Sequence, residues 1–249
     1  MTWSDIFVKL LFGYPVPPEM VDSRYPLFLQ RPGGLVLTLL ITVVSLVVGV
    51  AIGTAFALCR PEPGGSSRSD GVGVMGRPLS YAAGAVVEGV RGLPIMLLVL
   101  LTFHLPYRLA ELRFPSFVLA IAAFSLYAGV YLSEIVRSGF RSVGPEFRHV
   151  GKVLGLSRWQ VLLRIELPLV ARNMTPDLMN LAVTVFKDTS TLAVVGVSEL
   201  TYTGRQMLMS EPINYGLVLF LTLVFYWVPA TIVSSAFAFR AERRRAALP

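Results

Sequence analysis

The fold is decided by one apolar stretch near the start of the chain, residues 35–58, which reads LVLTLLITVVSLVVGVAIGTAFAL. It contains no charged side chain. As an α-helix it would measure about 36 Å, enough to cross a hydrocarbon core of about 30 Å with some tilt. The stretch therefore predicts a membrane-spanning helix. Its small residues, Gly49 and Gly53 among them, predict a face suited to close contact with another helix.

Similar apolar runs recur along the rest of the chain. Of the 249 residues, 54% are hydrophobic and 15% are charged, which excludes an ordinary soluble domain. Strands of a transmembrane barrel would alternate polar and apolar residues, and these runs do not. We expect an all-α integral membrane protein. The runs predict about five spans, at residues 35–58, 81–105, 116–136, 174–195 and 215–239. Gly92 and Pro94 predict a kink or a broken turn within the second of them.

The apolar runs also divide the chain into three parts. Residues 1–34 are expected to form an N-terminal periplasmic or interfacial segment, with a short amphipathic helix followed by extended chain. Residues 35–239 form the transmembrane domain, and residues 240–249 a basic cytoplasmic tail. Within the transmembrane domain, residues 196–212 are rich in polar side chains and are expected to form a second aqueous segment.

The basic residues predict the orientation of the chain. Multi-span proteins gather Lys and Arg in their cytoplasmic loops. Placing the loop 60–78, the polar segment 143–168 and the basic tail on one side collects most of these residues there. The prediction is therefore N-terminus out and C-terminus in. The net charge of +7 follows from this topology and does not indicate a nucleic-acid partner.

Charged residues inside the spans are candidates for function. Lys187 and Asp188 lie well inside the fourth span, where each ion costs about 2.5 to 3.5 kcal/mol even on insertion scales. Adjacent helix positions point about 100° apart, so each of these two residues needs another partner or an unwound segment. Such ions either pair with one another to fix helix packing or line a polar pathway. The pathway candidates are Glu88, Arg91, Glu134, Lys187, Asp188, Thr189 and Ser190.

The polar segment 143–168, VGPEFRHVGKVLGLSRWQVLLRIELP, predicts a helix, a glycine turn and a second helix. Pro145 suits the first helical position, and Gly155 ends the first helix. Ser157 and Gln160 have the spacing of a capping box for the second helix, which is expected to stop before Pro168. The first helix should also carry an apolar stripe made of Phe147, Val150, Val153 and Leu154. A partner outside the bilayer is expected to grip this segment.

Several kinds of chemistry find no support in the sequence. The chain contains no Gly-x4-Gly-Lys-Ser/Thr loop, so we do not expect it to bind or hydrolyse ATP. Its single cysteine, Cys59, excludes an internal disulfide. Two histidines, His104 and His149, do not form a metal or catalytic pattern with other residues. We therefore expect no catalytic residue, no metal site and no cofactor on this chain.

Five short motifs resemble the permease subunits of bacterial ABC importers, specifically the branch that takes up polar amino acids. The cytoplasmic signature of that family has a glutamate and two alanines, a glycine four residues later, and then Ile and Leu-Pro. Gly155, Ile165, Leu167 and Pro168 match it. The similarity covers roughly residues 35–239. Its motifs are RGLP at 91–94, YLSEIVRSG at 131–139, GLSRWQ at 155–160, KDTS at 187–190 and GVSELT at 196–201.

The resemblance implies a type I importer permease in the bacterial inner membrane. It implies a periplasmic protein that delivers an amino acid, a second permease subunit that is identical or related, and a separate ATPase that binds ATP and Mg. The coupling loop, residues 138–172, would contact that ATPase. The implied coupling residues are Glu146, His149, Gly155, Ser157, Arg158 and Trp159.

The chain departs from the family signature at one place. His149, Val150 and Gly151 stand where the signature has glutamate and two alanines. Glu146, one turn earlier on about the same face, can replace the missing carboxylate. Otherwise this subunit couples weakly or works beside a second permease that keeps the glutamate. Two other functions stay open at this point, a membrane scaffold or signalling partner that transports nothing, and an importer permease for another small polar solute.

Overall fold

The computed structural model describes residues 3–13, 33–60, 77–210 and 215–246. The predicted extended segment after the first helix and most of the loop 60–78 lie outside these ranges. The described helices are α1 (Trp3–Phe12), α2 (Gly34–Cys59), α3 (Arg77–Gly92), α4 (Ile95–Ala110), α5 (Ser116–Arg141), α6 (Pro145–Val153), α7 (Arg158–Val161), α8 (Leu167–Asp188), α9 (Leu200–Ser210) and α10 (Tyr215–Ala246). A π-helical segment, Leu162–Glu166, joins α7 to α8, and a 3-10 helix, Thr189–Val195, follows α8.

The centre of the fold is a close parallel pair formed by α2 and α5. Gly49 packs against Ala128, and Gly53, one turn further along α2, packs against Leu132. An ideal Cβ on Gly53 would lie 2.6 Å from Leu132 Cβ and 2.7 Å from the carbonyl oxygen of Gly129. The two backbones therefore approach as closely as small residues permit, and the predicted small-residue face of α2 is confirmed.

The number of spans follows from this parallel packing. Four runs in the described chain are long and apolar enough to cross a membrane, at Gly34–Cys59, Ser116–Arg141, Arg158–Val195 and Tyr215–Phe237. Because α2 and α5 run in the same direction, the chain has to return across the membrane between them. In the described residues α3 and α4 are the helices available for this crossing. They are bent by 113° and act as one broken span, which gives five spans in all.

The break between α3 and α4 confirms the broken turn predicted within the second span. The helix ends at Gly92, and the next helix begins at Ile95, after Pro94 with φ −57° and ψ 137°. A residue before proline is pushed out of the helical region, and proline itself has no N–H to donate. Leu93 therefore cannot continue α3.

The structure corrects the predicted end of the second helix of the polar segment 143–168 and shows that the helix carrying the fourth span begins before Met174. The helix that begins at Arg158 does not stop before Pro168 but continues through the π-helical segment into α8, which starts at Leu167. The N–H of Leu167 donates to the carbonyl of Leu162, five residues back. This wider turn accommodates Pro168, which cannot donate, without ending the helix.

The apolar core has two parts. One cluster lies between α2, α4, α5 and α8 and includes the fully buried Phe124. The other joins α1, α2, α9 and α10. Residues 196–212, predicted as a second aqueous segment, contribute to this second cluster, because Leu200 and Met207 of α9 are fully buried there and Thr203 is 1% exposed.

Candidate functional site

Three of the candidate residues belong to an ion network at the C-terminal end of α2. Arg60 forms ion pairs with Glu134 on α5 and with Glu88 on α3, the latter at 3.3 Å. Arg137 lies 3.5 Å from the Glu134 carboxylate, and Arg91 lies 4.0 Å from that of Glu88. The network ties three helices together. These ion pairs of Glu88, Arg91 and Glu134 are of the kind that fixes helix packing, which was one of the two alternatives.

Replacing Arg60 by alanine is expected to destabilise the protein more than replacing Arg91. The Arg60 side chain is 13% exposed and bonds two carboxylates, so its loss should lower the free energy of unfolding by about 2 kcal/mol. Arg91 is 39% exposed and its pair is long, so Arg91→Ala should cost under about 0.5 kcal/mol. Melting temperatures of the two purified variants in detergent measure this difference. Equal losses would contradict the structural role of Arg60.

Lys187 and Asp188 point to different sides of α8, as the helical angle between neighbouring positions requires. Asp188 faces α5, where the Tyr127 hydroxyl donates to Oδ2 at 3.1 Å. The Tyr127 ring lies 4.8 Å from that of Tyr131, which in turn lies 5.9 Å from the Arg91 guanidinium. Within the described ranges neither Lys187 nor Asp188 has an ion-pair partner within 4 Å.

Lys187 lines an open groove of about 710 Å³ between α8 and α10. Ser190 also lines it, whereas Thr189 is fully buried and its hydroxyl donates to the Phe186 carbonyl at 2.6 Å. Of the seven pathway candidates, the structure thus brings two to this groove. The other residues that line it are Val183, Thr201, Leu219, Thr222, Leu223, Tyr226, Trp227, Ala230, Thr231 and Ser234.

The α10 side of this groove has little protein around it. In the most apolar stretch of α10 only 6% of the residues are buried, compared with 33% to 50% in the corresponding stretches of the other three continuous spans. Trp227 and Leu223, which line the groove, are 62% and 60% exposed. A mixed polar and apolar groove on a spanning helix is suited to a water-filled pathway or to a second protein subunit.

Glu199 is a buried carboxylate that the sequence reasoning missed. It is 0% exposed and lies immediately before α9. Its carboxylate accepts hydrogen bonds from the backbone N–H groups of Thr201 at 2.9 Å and Tyr202 at 2.7 Å, and from the Tyr226 hydroxyl at 2.7 Å. Burial raises the pKa of Glu199 to about 7, although these hydrogen bonds oppose the shift. The available signal was a glutamate directly before a helix, within GVSELT.

The polar segment adopts the predicted helix, turn and helix. Gly155 has φ +71°, and Leu156 N–H donates to the Gly151 carbonyl at 3.0 Å, which closes the end of α6. Ser157 accepts from Gln160 N–H while the Gln160 side chain accepts from Ser157 N–H, so the predicted capping box is confirmed. Two of the six implied coupling residues, Gly155 and Ser157, therefore shape the turn.

The surface of this segment is apolar and exposed. Phe147, Val150, Val153 and Leu154 are all exposed, Val153 at 86%, and Trp159 after the turn is 72% exposed. Contiguous apolar residues on an aqueous segment mark a site of protein contact. We call these five residues the apolar patch. Arg158 is exposed beside Trp159.

The departure from the family triplet has a local steric reason at one position. Gly151 is buried, and an added Cβ there would overlap a methyl group of Val161. Alanine would therefore clash as long as Val161 is present. Glu146 and His149 are both exposed and three positions apart on α6, which places them on one side. The Glu146 carboxylate lies against Gly144.

Comparison with known proteins agrees with this architecture. Residues 71–246 match a family described as the binding-protein-dependent transport system inner membrane component. The glutamine transport system permease protein GlnP of Escherichia coli (strain K12) is 32% identical over 213 residues, which cover 85% of this chain and 90% of the relative. The L-cystine transport system permease protein TcyB of Bacillus subtilis (strain 168) is 28% identical over 228 residues, 90% of each chain.

Solved structures share the fold. A crystal structure of an amino acid ABC transporter with histidines superposes with a TM-score of 0.71 at 22% identity, and covers 83% of this chain and 90% of that one. An inward-facing structure of the MetNI methionine ABC transporter superposes with a TM-score of 0.63 at 16% identity. These likenesses show a type I ABC importer permease fold. With a family match that extends over residues 71–246, the chain belongs to the inner membrane components of binding-protein-dependent transport systems and is a multi-pass protein of the bacterial inner membrane.

Proposed function

We propose that this chain forms the translocation pathway of an ATP-driven importer for an amino acid that a periplasmic binding protein delivers. The names of its relatives support this substrate class, since they specify glutamine, L-cystine and glutamate or aspartate. The observation that carries the proposal is the groove between α8 and α10, where Lys187 is placed at a spanning helix without an ion-pair partner among the described residues. A cation so placed is suited to a carboxylate in transit.

In this proposal the pathway follows the groove, and a second permease subunit closes it. Lys187 contacts the carboxylate of the amino acid, and Ser190 supplies a hydroxyl beside it. Asp188 places a negative charge on the neighbouring side of α8, close to Tyr127, and favours an ammonium group in the same region. Glu88, Arg91 and Glu134 act mainly through the ion network, which fixes α3 against α2 and α5.

The variant Lys187→Met is expected to lower uptake at least tenfold, because a neutral side chain of similar length removes the charge that holds the carboxylate. Asp188→Asn should have a smaller effect, since the amide oxygen can still accept from Tyr127. Uptake by cells and the amount of folded permease are measured together. Arg172→Met serves as the control, because Arg172 is an exposed cation on α8 that does not line the groove. Normal uptake by the Lys187 variant would show that the groove is not part of the translocation pathway.

The energy for transport comes, in this proposal, from a separate ATPase that contacts the polar segment 143–168. The chain itself binds no cofactor, and ATP and Mg belong to that partner. The exposed apolar patch supports this contact. Its movement would reach the membrane directly, because Gly139 of α5 packs on Met174 of α8 and Asn173 donates to the Ser142 hydroxyl at 2.8 Å.

Identifying the subunits that purify with the tagged chain tests the assembly. An ATPase, a binding protein and a second permease subunit are expected, and the ligand held by the binding protein should be an amino acid. Purification of the chain without any ATPase would favour a membrane scaffold, and a different ligand would favour an importer for another small polar solute.

A further inference from the structure

Glu199 is linked to the groove through two hydroxyl groups. The Tyr226 hydroxyl donates to Glu199 Oε2 at 2.7 Å and lies 2.9 Å from Thr201 Oγ1. Tyr226 and Thr201 both line the groove that contains Lys187, whereas Glu199 itself is fully buried behind them. The carboxylate can therefore influence a molecule in the groove without touching it.

Each hydroxyl group has one hydrogen to donate, and this number limits the hydrogen bonds that Tyr226 and Thr201 can make. An ionised carboxylate only accepts, so the one hydroxyl hydrogen of Tyr226 points at Glu199. The Thr201 hydroxyl lies 2.9 Å from that of Tyr226 and is also hydrogen-bonded to Glu199, so its one hydrogen goes to one of these two groups. Both hydrogens are thereby used within the protein. The oxygen atoms of Tyr226 and Thr201 have only lone pairs left for a molecule in the groove.

We infer that Glu199 is a positioning residue that holds the Tyr226 and Thr201 hydroxyls as hydrogen-bond acceptors for the ammonium group of the amino acid. The inference rests on the proposed function and deepens it. An ammonium group has three donors and no acceptor, so it fits this wall of the groove. Lys187, which lines the same groove, is the matching donor for the carboxylate. Asp188 points to α5 and away from the groove, so it is not the direct contact for the ammonium group.

The protonation state of Glu199 gives this arrangement a pH dependence. The groups that face the carboxylate are the Tyr226 hydroxyl from α10 and, from α9, the Thr201 hydroxyl and the backbone N–H groups of Thr201 and Tyr202. Burial raises the pKa of Glu199 to about 7, so the carboxylate is ionised above that pH. Below it the protonated carboxyl can donate to Tyr226, whose hydrogen then turns towards Thr201 and the groove.

The test measures binding to the complex of permease and ATPase subunits in lipid nanodiscs, without the binding protein, which holds the amino acid itself. The probe is the amino acid that gives the highest uptake in a panel of the twenty proteinogenic amino acids and cystine. Glu199→Gln keeps the shape of the side chain but removes its charge and one of its two acceptor oxygens, so it can no longer accept from Tyr226 and from both α9 backbone N–H groups as the carboxylate does. We expect its Kd at pH 8 to rise about tenfold. We expect the wild-type Kd to rise between pH 8 and pH 6 and the variant Kd to stay constant.

Two further variants separate positioning from folding. Thr203→Val removes a buried hydroxyl from the same helix, one that donates to Ser198 at 3.3 Å and does not line the groove, and should leave Kd unchanged. Tyr226→Phe should raise Kd as Glu199→Gln does, with no added effect in the double variant. It also tests the inference if the Glu199 variant does not fold. A Glu199→Gln complex that loses thermal stability but keeps the wild-type Kd and pH profile would overturn the inference. Absence of amino-acid binding by the wild-type complex would instead overturn the proposed function.

Discussion

Replacing Gly53 by alanine is expected to remove most of the folded protein from the membrane. The added Cβ would lie 2.6 Å from Leu132 Cβ and 2.7 Å from the Gly129 carbonyl oxygen, closer than real Cβ atoms come. Neither neighbour is the free end of a flexible side chain, so α2 and α5 have to separate. Overpacking of this kind costs about 1 to 3 kcal/mol, and here it falls on the closest helix pair of the fold. Yield and melting temperature after detergent extraction measure the loss.

Gly89→Ala is the matched control for this substitution. Gly89 lies on α3, also within a helix, but nothing comes within 4 Å of an added Cβ. Alanine is the better helix former by about 1 kcal/mol, so this variant should be as stable as the wild type or slightly more stable. A similar loss of folded protein in both variants would show that the contact between α2 and α5 does not set the stability of the fold.

The features that could be predicted from sequence depend on neighbours along the chain. The spans follow from runs of apolar residues, and the capping box at Ser157 follows from a spacing of three. The break before Pro94 follows from the missing N–H of proline. In each case the controlling interaction lies within about one helical turn or within one continuous helix.

The features that could not be predicted depend on contacts between distant residues. The sequence placed Arg60 in a polar loop, whereas in the structure it pairs with Glu134, which is 74 positions away along the chain. Residues 196–212 appeared suited to water because sequence cannot show that Glu199 would find Tyr226 on another helix, 27 positions later. Because neighbouring positions on a helix are about 100° apart, the sequence predicted that the side chains of Lys187 and Asp188 point in different directions. Which of them would face the groove depended on how α8 packs against α5 and α10.

The variant Gly155→Pro is expected to abolish the stimulation of ATP hydrolysis by substrate in the assembled importer while the spans still insert. Gly155 has φ +71°, and proline is fixed near −65°, so the turn between α6 and α7 cannot form. The apolar patch has residues on both sides of this turn, and their relative positions would be lost. We expect at least a tenfold reduction in stimulated hydrolysis, measured on the purified complex with its binding protein and amino acid.

The variant Gly155→Asn tests whether coupling depends on the backbone conformation of the turn or on the absence of a side chain at this position. Asparagine tolerates positive φ better than other non-glycine residues, and no atom lies within 4 Å of an added Cβ at this position. The asparagine variant should therefore keep most of the stimulation, whereas Trp159→Ala, which removes an exposed ring and leaves the turn intact, should lower it. If the proline variant were stimulated as strongly as the wild type, the polar segment 143–168 would not be the part of the chain that couples to the ATPase.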